Sequence, residues 1–210
     1  TTPSNPGLVV KNNSGPADAS NAAIPCPAVT GSLVSLASIV AKHSPMPASQ
    51  ANILYDLYET DCAETVRYAL GRRTPYPLLV IGLNPSTADQ HTRDQTLTRV
   101  EGFARRRARS LIMCNLYPLR ATDPDDLPRI ADPYLVAKNA KRIAALYKEY
   151  AVREIWAAWG DPIAKRSYLL SSLRQIHKTL SSHSPRWLKC GPLTKNGHPR
   201  HPSRLPYKNI

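Results

Sequence analysis

Four polar stretches carry most of the unusual chemistry in this 210-residue chain: NPSTAD at 84–89, NLYPLRATD at 115–123, WGDP at 159–162 and GHPRHPSRLP at 197–206. An amide such as Asn84 or Asn115 is no strong base, but it can orient a water and meet both donors and acceptors on a polar ligand. The alternative for Asn115 is to satisfy backbone groups of its own loop. Gly82 and Pro85, on either side of Leu83 and Asn84, are ordinary turn formers. Signatures of other chemistries are missing: the chain has no Walker lysine loop, no GxGxxG, no GxSxG elbow and no HExxH. His198 and His201, three apart in a proline-broken loop, lack acidic or cysteine partners that would make them a metal pair. Cys26, Cys62, Cys114 and Cys190 form no CxxC and match no compact cluster-ligand run. They read as small buried hydrophobes in a reducing cytoplasm. No cofactor and no metal is expected.

Charge points to a partner class. Lys plus Arg number 28 against 15 acids, a net of +13. Two clusters stand out. One is Arg93, Arg99, Arg105, Arg106, Arg107, Arg109 and Arg120; the other is Arg186, Lys189, Lys195, Arg200, Arg204 and Lys208. Such a domain suits a polyanion, since each neutralised phosphate releases condensed counterions. The alternative is a solvated basic surface. Asp89, Asp94, Arg99, Arg120 and Asp123 can equally form an ion-pair network that holds loops in place. No run approaches the ~18 apolar residues of a membrane span, and no basic-then-apolar leader is visible. The expectation is a cytoplasmic monomer with no membrane partner.

The elements that must position these loops follow from periodicity. Residues 1–30 are rich in Pro, Ser, Asn, Gly and Ala without a sustained period. With a short helix over 31–42, they suggest an N-terminal arm over 1–45 preceding an α/β domain over 46–210. Residues 50–59 are compatible with another helix. Continuous apolar runs predict strands at 77–83, 110–117, 154–160 and 186–191. Helical spacing predicts helices over 94–108, 132–151 and 161–180, the last with Asp161 as cap and Pro162 in its first turn. Alternating strands and helices imply a three-layer α/β/α fold around a four-stranded, mainly parallel sheet. Ligands of such folds bind beyond the carboxyl ends of the strands. All four polar stretches fall there. Trp156 and Trp159 belong to the core of this arrangement rather than to a stacking platform.

The order of motifs resembles the uracil-DNA glycosylase superfamily: GLNP after the first strand, NLYPLRAT after the second, the WG strand end, and GHPRHPSRLP. From Cys62 onward the chain also resembles the DUF1643 family, with LNPSTAD (83–89), Asp94, Thr96 and Arg99, NLYPLRATDP (115–124), Trp159–Gly160 and LTKNGHPRHP (193–202). The superfamily resemblance implies a glycosylase-like fold and a role for each loop. Asn84 would hold the water that attacks the sugar C1′. Asn115 would read the pyrimidine edge, with Leu83 and Ser86 in the base pocket. His201, or less favourably His198, would donate a hydrogen bond to the base O2 as charge develops there. Ser203, with Arg200, Arg204, Lys195 and His198 around it, would bind DNA. Leu205 would fill the gap left by a flipped nucleotide.

Two departures bear on substrate. Uracil-specific members of that superfamily carry Tyr where this chain has Ser86, and that ring excludes a methyl group at C5. Arg204 replaces the second Pro of the His-Pro-Ser-Pro loop. The reading that follows is a monofunctional DNA glycosylase. It would flip out a C5-modified pyrimidine, hydrolyse its N-glycosidic bond and leave an abasic site, in antiphage defence. The alternatives are a uracil or mismatched-thymine repair glycosylase, a catalytically inactive nucleic-acid-binding module, and an enzyme of RNA bases or free nucleotides.

Overall fold

The computed structural model describes residues 52–205; the expected arm over 1–45 and helix over 31–42 lie outside them. The described chain is mixed α/β. Six strands, β1 (Leu57–Thr60), β2 (Arg67–Gly71), β3 (Leu78–Gly82), β4 (Leu111–Asn115), β5 (Glu154–Ala157) and β6 (Arg186–Leu188), form one sheet in the order β1-β2-β4-β3-β5-β6. The helices are α1 (Gln95–Arg106), α2 (Pro133–Glu149) and α3 (Ser167–Leu180). The four strands predicted from apolar runs are β3 to β6, and they pair with one another in parallel. Correcting the four-stranded expectation, β1 and β2 add an antiparallel hairpin to the β4 edge.

That hairpin also corrects the helix expected over 50–59. From residue 52 on, that stretch contains no helix; Leu54 and Tyr55 donate their N–H groups to Gln90 O, and Leu57 to Thr60 pair with β2. Short apolar runs are ambiguous between helix and strand, and here long-range pairing decides. The long helix expected over 161–180 is likewise two pieces. A 3-10 turn spans Asp161–Lys165, and Arg166 is extended before α3 begins. Gly160, not Asp161, is the residue that precedes that turn, whereas Pro162 does lie in its first turn.

Strand alternation divides the core between the two faces of the sheet. Leu79, Ile81, Ile112, Cys114 and Ile155 cluster with Ala140, Ile143 and Leu146 of α2 and Leu169, Ile176 and Leu180 of α3. Leu78, Val80, Leu111, Met113 and Trp156 cluster with Leu97, Val100, Phe103 and Ala104 of α1. Phe103 meets Trp156 edge-on at 4.7 Å. Burying each large α1 side chain contributes about 1.5–3 kcal/mol, which fixes that helix and its N-terminal turn against the sheet. Asp94 caps α1, accepting from Leu97 N at 2.7 Å, and Asp132 caps α2, accepting from Tyr134 N at 2.8 Å.

Candidate functional site

Beyond the carboxyl ends of the parallel strands, backbone hydrogen bonds continue between the loops. Leu116 N donates to Gly82 O at 2.9 Å, Tyr117 N to Leu83 O at 3.1 Å, Ala121 N to Pro85 O at 2.9 Å and Ala158 N to Ile81 O at 2.9 Å. The loops are thereby held as a rigid rim rather than as free connections. They enclose a cavity of about 1050 Å³ lined by residues from all four polar stretches. Of the predicted site residues, Leu83, Asn84, Ser86, Asp94, Asn115, Lys195, Arg200, His201, Ser203 and Arg204 line it. His198, Leu205, Asp89, Arg99, Arg120 and Asp123 do not.

Asn84 is clamped. Its Nδ2 donates to Ala121 O at 2.7 Å and to Pro85 O at 3.0 Å, so its donor capacity goes into holding two loops together and Oδ1 remains as the acceptor. Asn115 is 1% exposed at the end of β4. In the amide orientation that its surroundings satisfy, with oxygen and nitrogen exchanged, Nδ2 donates to Asn84 O at 3.2 Å and to Cys114 O at 3.3 Å, which again leaves Oδ1 as the group for a ligand. Both readings of Asn115 therefore coexist: one side serves the loop and the other stays open to the cavity. Gly82 is required for this approach, because a Cβ there would meet the Asn115 amide at 2.8 Å and Met113 Cε at 2.6 Å. From α2, buried Asn139 donates to Asn115 O at 2.8 Å and Leu116 O at 3.3 Å and pins the strand end from behind.

His201 sits at the start of a 3-10 turn, Pro202–Arg204. Its Nδ1 accepts from Ser203 N at 3.3 Å and lies 2.8 Å from Ser203 Oγ. An accepting Nδ1 places the proton of the neutral ring on Nε2. Burial lowers the pKa of this imidazole below its ordinary value, with the Asp94 carboxylate pulling it up and Arg204 pushing it down. The group offered is a neutral N–H donor. Gly160 makes room for it. At φ 71° and ψ −176° this glycine adopts a conformation closed to side chains, and a Cβ would lie 2.9 Å from His201 Cβ. The same two loops are tied by Thr194 Oγ1, which donates to Asp161 Oδ1 at 2.5 Å.

Several expectations need correction. Leu205 is 2% exposed and belongs to the core cluster under α1, with its carbonyl accepting from Arg99 Nη1 at 2.7 Å. A duplex wedge would have to leave that core, so the wedge role is not carried forward. His198 holds a local turn with Thr194 instead of facing the cavity. Among the described residues no ion pair joins Asp89, Asp94, Arg120 and Asp123 to one another. The carboxylates instead satisfy backbone amides: Asp89 those of His91 and Thr92, Asp94 that of Leu97, Asp123 that of Asp125. Arg120 donates to Ser86 O at 2.8 Å and Tyr58 OH at 2.6 Å. Of the cysteines, Cys114 is fully buried and its thiol is pushed up to about 12 by desolvation, whereas Cys62 is exposed and disulfide-bonded.

The basic clusters are also divided by the fold. Arg109 and Arg186 both pair with Glu154 at the start of β5, on the opposite edge of the sheet from the cavity. Arg105 lies at that same end, near Leu111 at the start of β4. The cations left at the cavity are Lys195, Arg200, Arg204 and one that sequence reasoning missed, Arg67. Arg67 is 3% exposed; its Nη1 donates to Ala88 O at 2.7 Å. Desolvation, and then the neighbouring Arg120, lower this guanidinium to about 10, while Asp94 acts in the opposite direction. A charged residue inside the VRYALG run is the signal that would have found it, had that run been read as a strand.

The fold and site thus define an α/β protein with a preorganised polar cavity at the carboxyl edge of its parallel strands. Residues 67–203 match the family model described as protein of unknown function (DUF1643), and the chain belongs to that family. No curated protein and no solved structure matches the chain. Among the described residues no helix is long and apolar enough to cross a membrane, and no three His, Cys, Asp or Glu come together to hold a metal ion.

Proposed function

We propose that this protein is a DNA glycosylase that extrudes a pyrimidine nucleotide and hydrolyses its N-glycosidic bond. The observation that carries the reading is the pairing, in one cavity, of an oriented acceptor with a neutral imidazole donor: Asn84 Oδ1 and His201 Nε2–H. Asn84 Oδ1 would hold a water against C1′ of the sugar. As the glycosidic bond breaks, its electron pair leaves with the base, and charge collects on the base oxygens. A neutral N–H donor fixed beforehand stabilises that charge without reorganising. The attacking water supplies the new C1′ oxygen and releases its proton to the departing base or to solvent. Asn115 Oδ1 would accept from the base edge. The likeness of the loops to the uracil-DNA glycosylase superfamily supports the same assignment.

Ser86 lines the cavity and has no ring to close off C5, which favours a substituted pyrimidine over uracil. Removal of such bases from phage DNA would serve antiviral defence. Lys195, Arg200, Arg204 and Ser203 would take the flanking phosphates. The test is incubation with duplexes carrying uracil, mismatched thymine, hydroxymethyl-pyrimidines or glucosylated hydroxymethylcytosine, each followed by alkali. Strand breakage on one substrate, lost in Asn84→Ala and in His201→Ala, is the expected result. Salt-sensitive binding without breakage on any duplex would replace the glycosylase with an inactive binding module.

A further inference from the structure

The inner wall of the cavity carries a buried positive charge that has no ion-pair partner among the described residues. Arg67 is almost wholly buried there, and its Nε is buried with no hydrogen-bond partner. Among the described residues no carboxylate lies within ion-pair distance of its guanidinium. The largest influence on it after burial is a second cation, Arg120, whose own Nε is also buried without a partner. Asp94 contributes an opposing field without forming an ion pair, and its Oδ1 caps Leu97 N. Buried charges in proteins are ordinarily paired or bind an ion, because an unpaired one is strongly unfavourable. Gln95 and Thr96, the first residues of the 12-residue helix α1, line the same cavity and present the end of the helix that attracts anions.

We infer that this inner wall is an oxyanion receptor, in which Arg67 binds a phosphate or carboxylate group of the ligand. A guanidinium with one N–H on Ala88 O keeps others for a two-pronged contact with such a group. The shared chemistry has two sources: a phosphate of the nucleotide, or an acidic substituent on the base. The receptor does not depend on base excision, since a binding module or a mononucleotide enzyme would use it equally.

Thermal unfolding of the full chain tests this with three probes, inorganic phosphate, 5-carboxyuracil and uracil, at ionic strength matched with chloride. A ligand that binds only the native state raises Tm in a saturable way. The expected result is such a rise with phosphate or 5-carboxyuracil and a smaller one or none with uracil. Phosphate alone identifies the nucleotide phosphate as source; 5-carboxyuracil alone identifies the base substituent. Arg67→Met should abolish the rise while leaving Tm without anion equal to or above that of the parent, because a buried charge has gone. Arg67→Lys keeps the charge but loses the fork, and should weaken binding about tenfold. The inference is overturned if neither anion raises Tm in the parent. It is also overturned if the rise persists in Arg67→Met, or passes instead with Arg200→Ala/Arg204→Ala. Should Arg67→Met fail to fold, unchanged binding in Arg67→Lys overturns it. Duplex cleavage is scored separately, so either idea can fail alone.

Discussion

Gly160→Ala is the substitution whose cost can be worked most directly from the structure. Two effects coincide. The backbone at φ 71° and ψ −176° belongs to the glycine-only region, where a side chain costs about 1–3 kcal/mol. The new Cβ would also stand 2.9 Å from His201 Cβ and 3.3 Å from both His201 N and Pro162 Cδ. Two of these contacts are with the backbone and Cβ of a tied loop, which no rotamer change relieves; such overpacking costs about 1–3 kcal/mol more. The total of about 2–6 kcal/mol corresponds to a Tm at least about 4 °C lower for a chain of this size. Gly197→Ala is the control. Gly197 also has positive φ, at 79°, but a Cβ there would meet nothing within 4 Å, so only the dihedral cost of about 1–2 kcal/mol applies. Differential scanning calorimetry of both variants separates the terms. NMR titration of the His201 ring adds a second readout, because loss of its burial would return its pKa towards the ordinary value. If Gly160→Ala is no more destabilising than Gly197→Ala, the packing of the two loops is not as described.

The remaining predictions concern the neighbours of that contact. Ser86→Tyr should abolish excision of C5-substituted pyrimidines and spare uracil excision, measured on paired duplexes; retention of both activities would remove Ser86 from the base pocket. His201 has a pKa lowered in the folded state from about 6.5. The stability this group contributes is therefore complete above that value and is lost as pH falls through it towards the folded pKa. Urea unfolding at pH 7.5 and pH 5 should show a larger acid loss for the parent than for His201→Gln; equal losses would mean the ring is not buried neutral. Asn139→Ala should destabilise the fold by about 1–3 kcal/mol by orphaning two buried carbonyls at the end of β4. Chemical denaturation measures this, and a change below about 0.5 kcal/mol would assign those carbonyls another donor.

The inner parallel strands were legible because they are buried on both faces. Leu78 to Gly82 and Leu111 to Cys114 are continuous apolar runs with no other good use, and each is fully buried. The β1–β2 hairpin was not legible, for a physical reason. β1 is buried mainly at Leu57, β2 breaks its apolar run with the charged Arg67, and the hairpin is placed by pairing with β4, far along the chain. The break at Arg166 was hidden likewise. Its guanidinium donates to the carbonyls of Asp125, Leu127 and Pro128, contacts from a separate loop that no helical period records.

The site divides along the same line. Loops that follow parallel strands must meet at one edge, so Asn84, Asn115, Gly160 and His201 could be placed together from order alone. What order cannot supply is which half of each polar group the protein itself consumes. Asn84 and Asn115 lose their donors to carbonyls, His201 turns its Nδ1 inward to Ser203, and the carboxylates at the rim become caps. The cavity is left with acceptors from two amides, a donor from one imidazole and cations that form no ion pair among the described residues. Leu205 shows the converse: a residue in the right motif position is withdrawn because an apolar core under α1 offers it more than solvent does. Arg67 was invisible because it comes from the antiparallel strand, which approaches the carboxyl edge from the opposite direction. Its N–H donates to Pro118 O at 2.8 Å, just beyond the end of β4. An antiparallel strand added to a parallel sheet thus delivers its first residues to the ligand edge. In this chain the first residue of that strand is the buried cation.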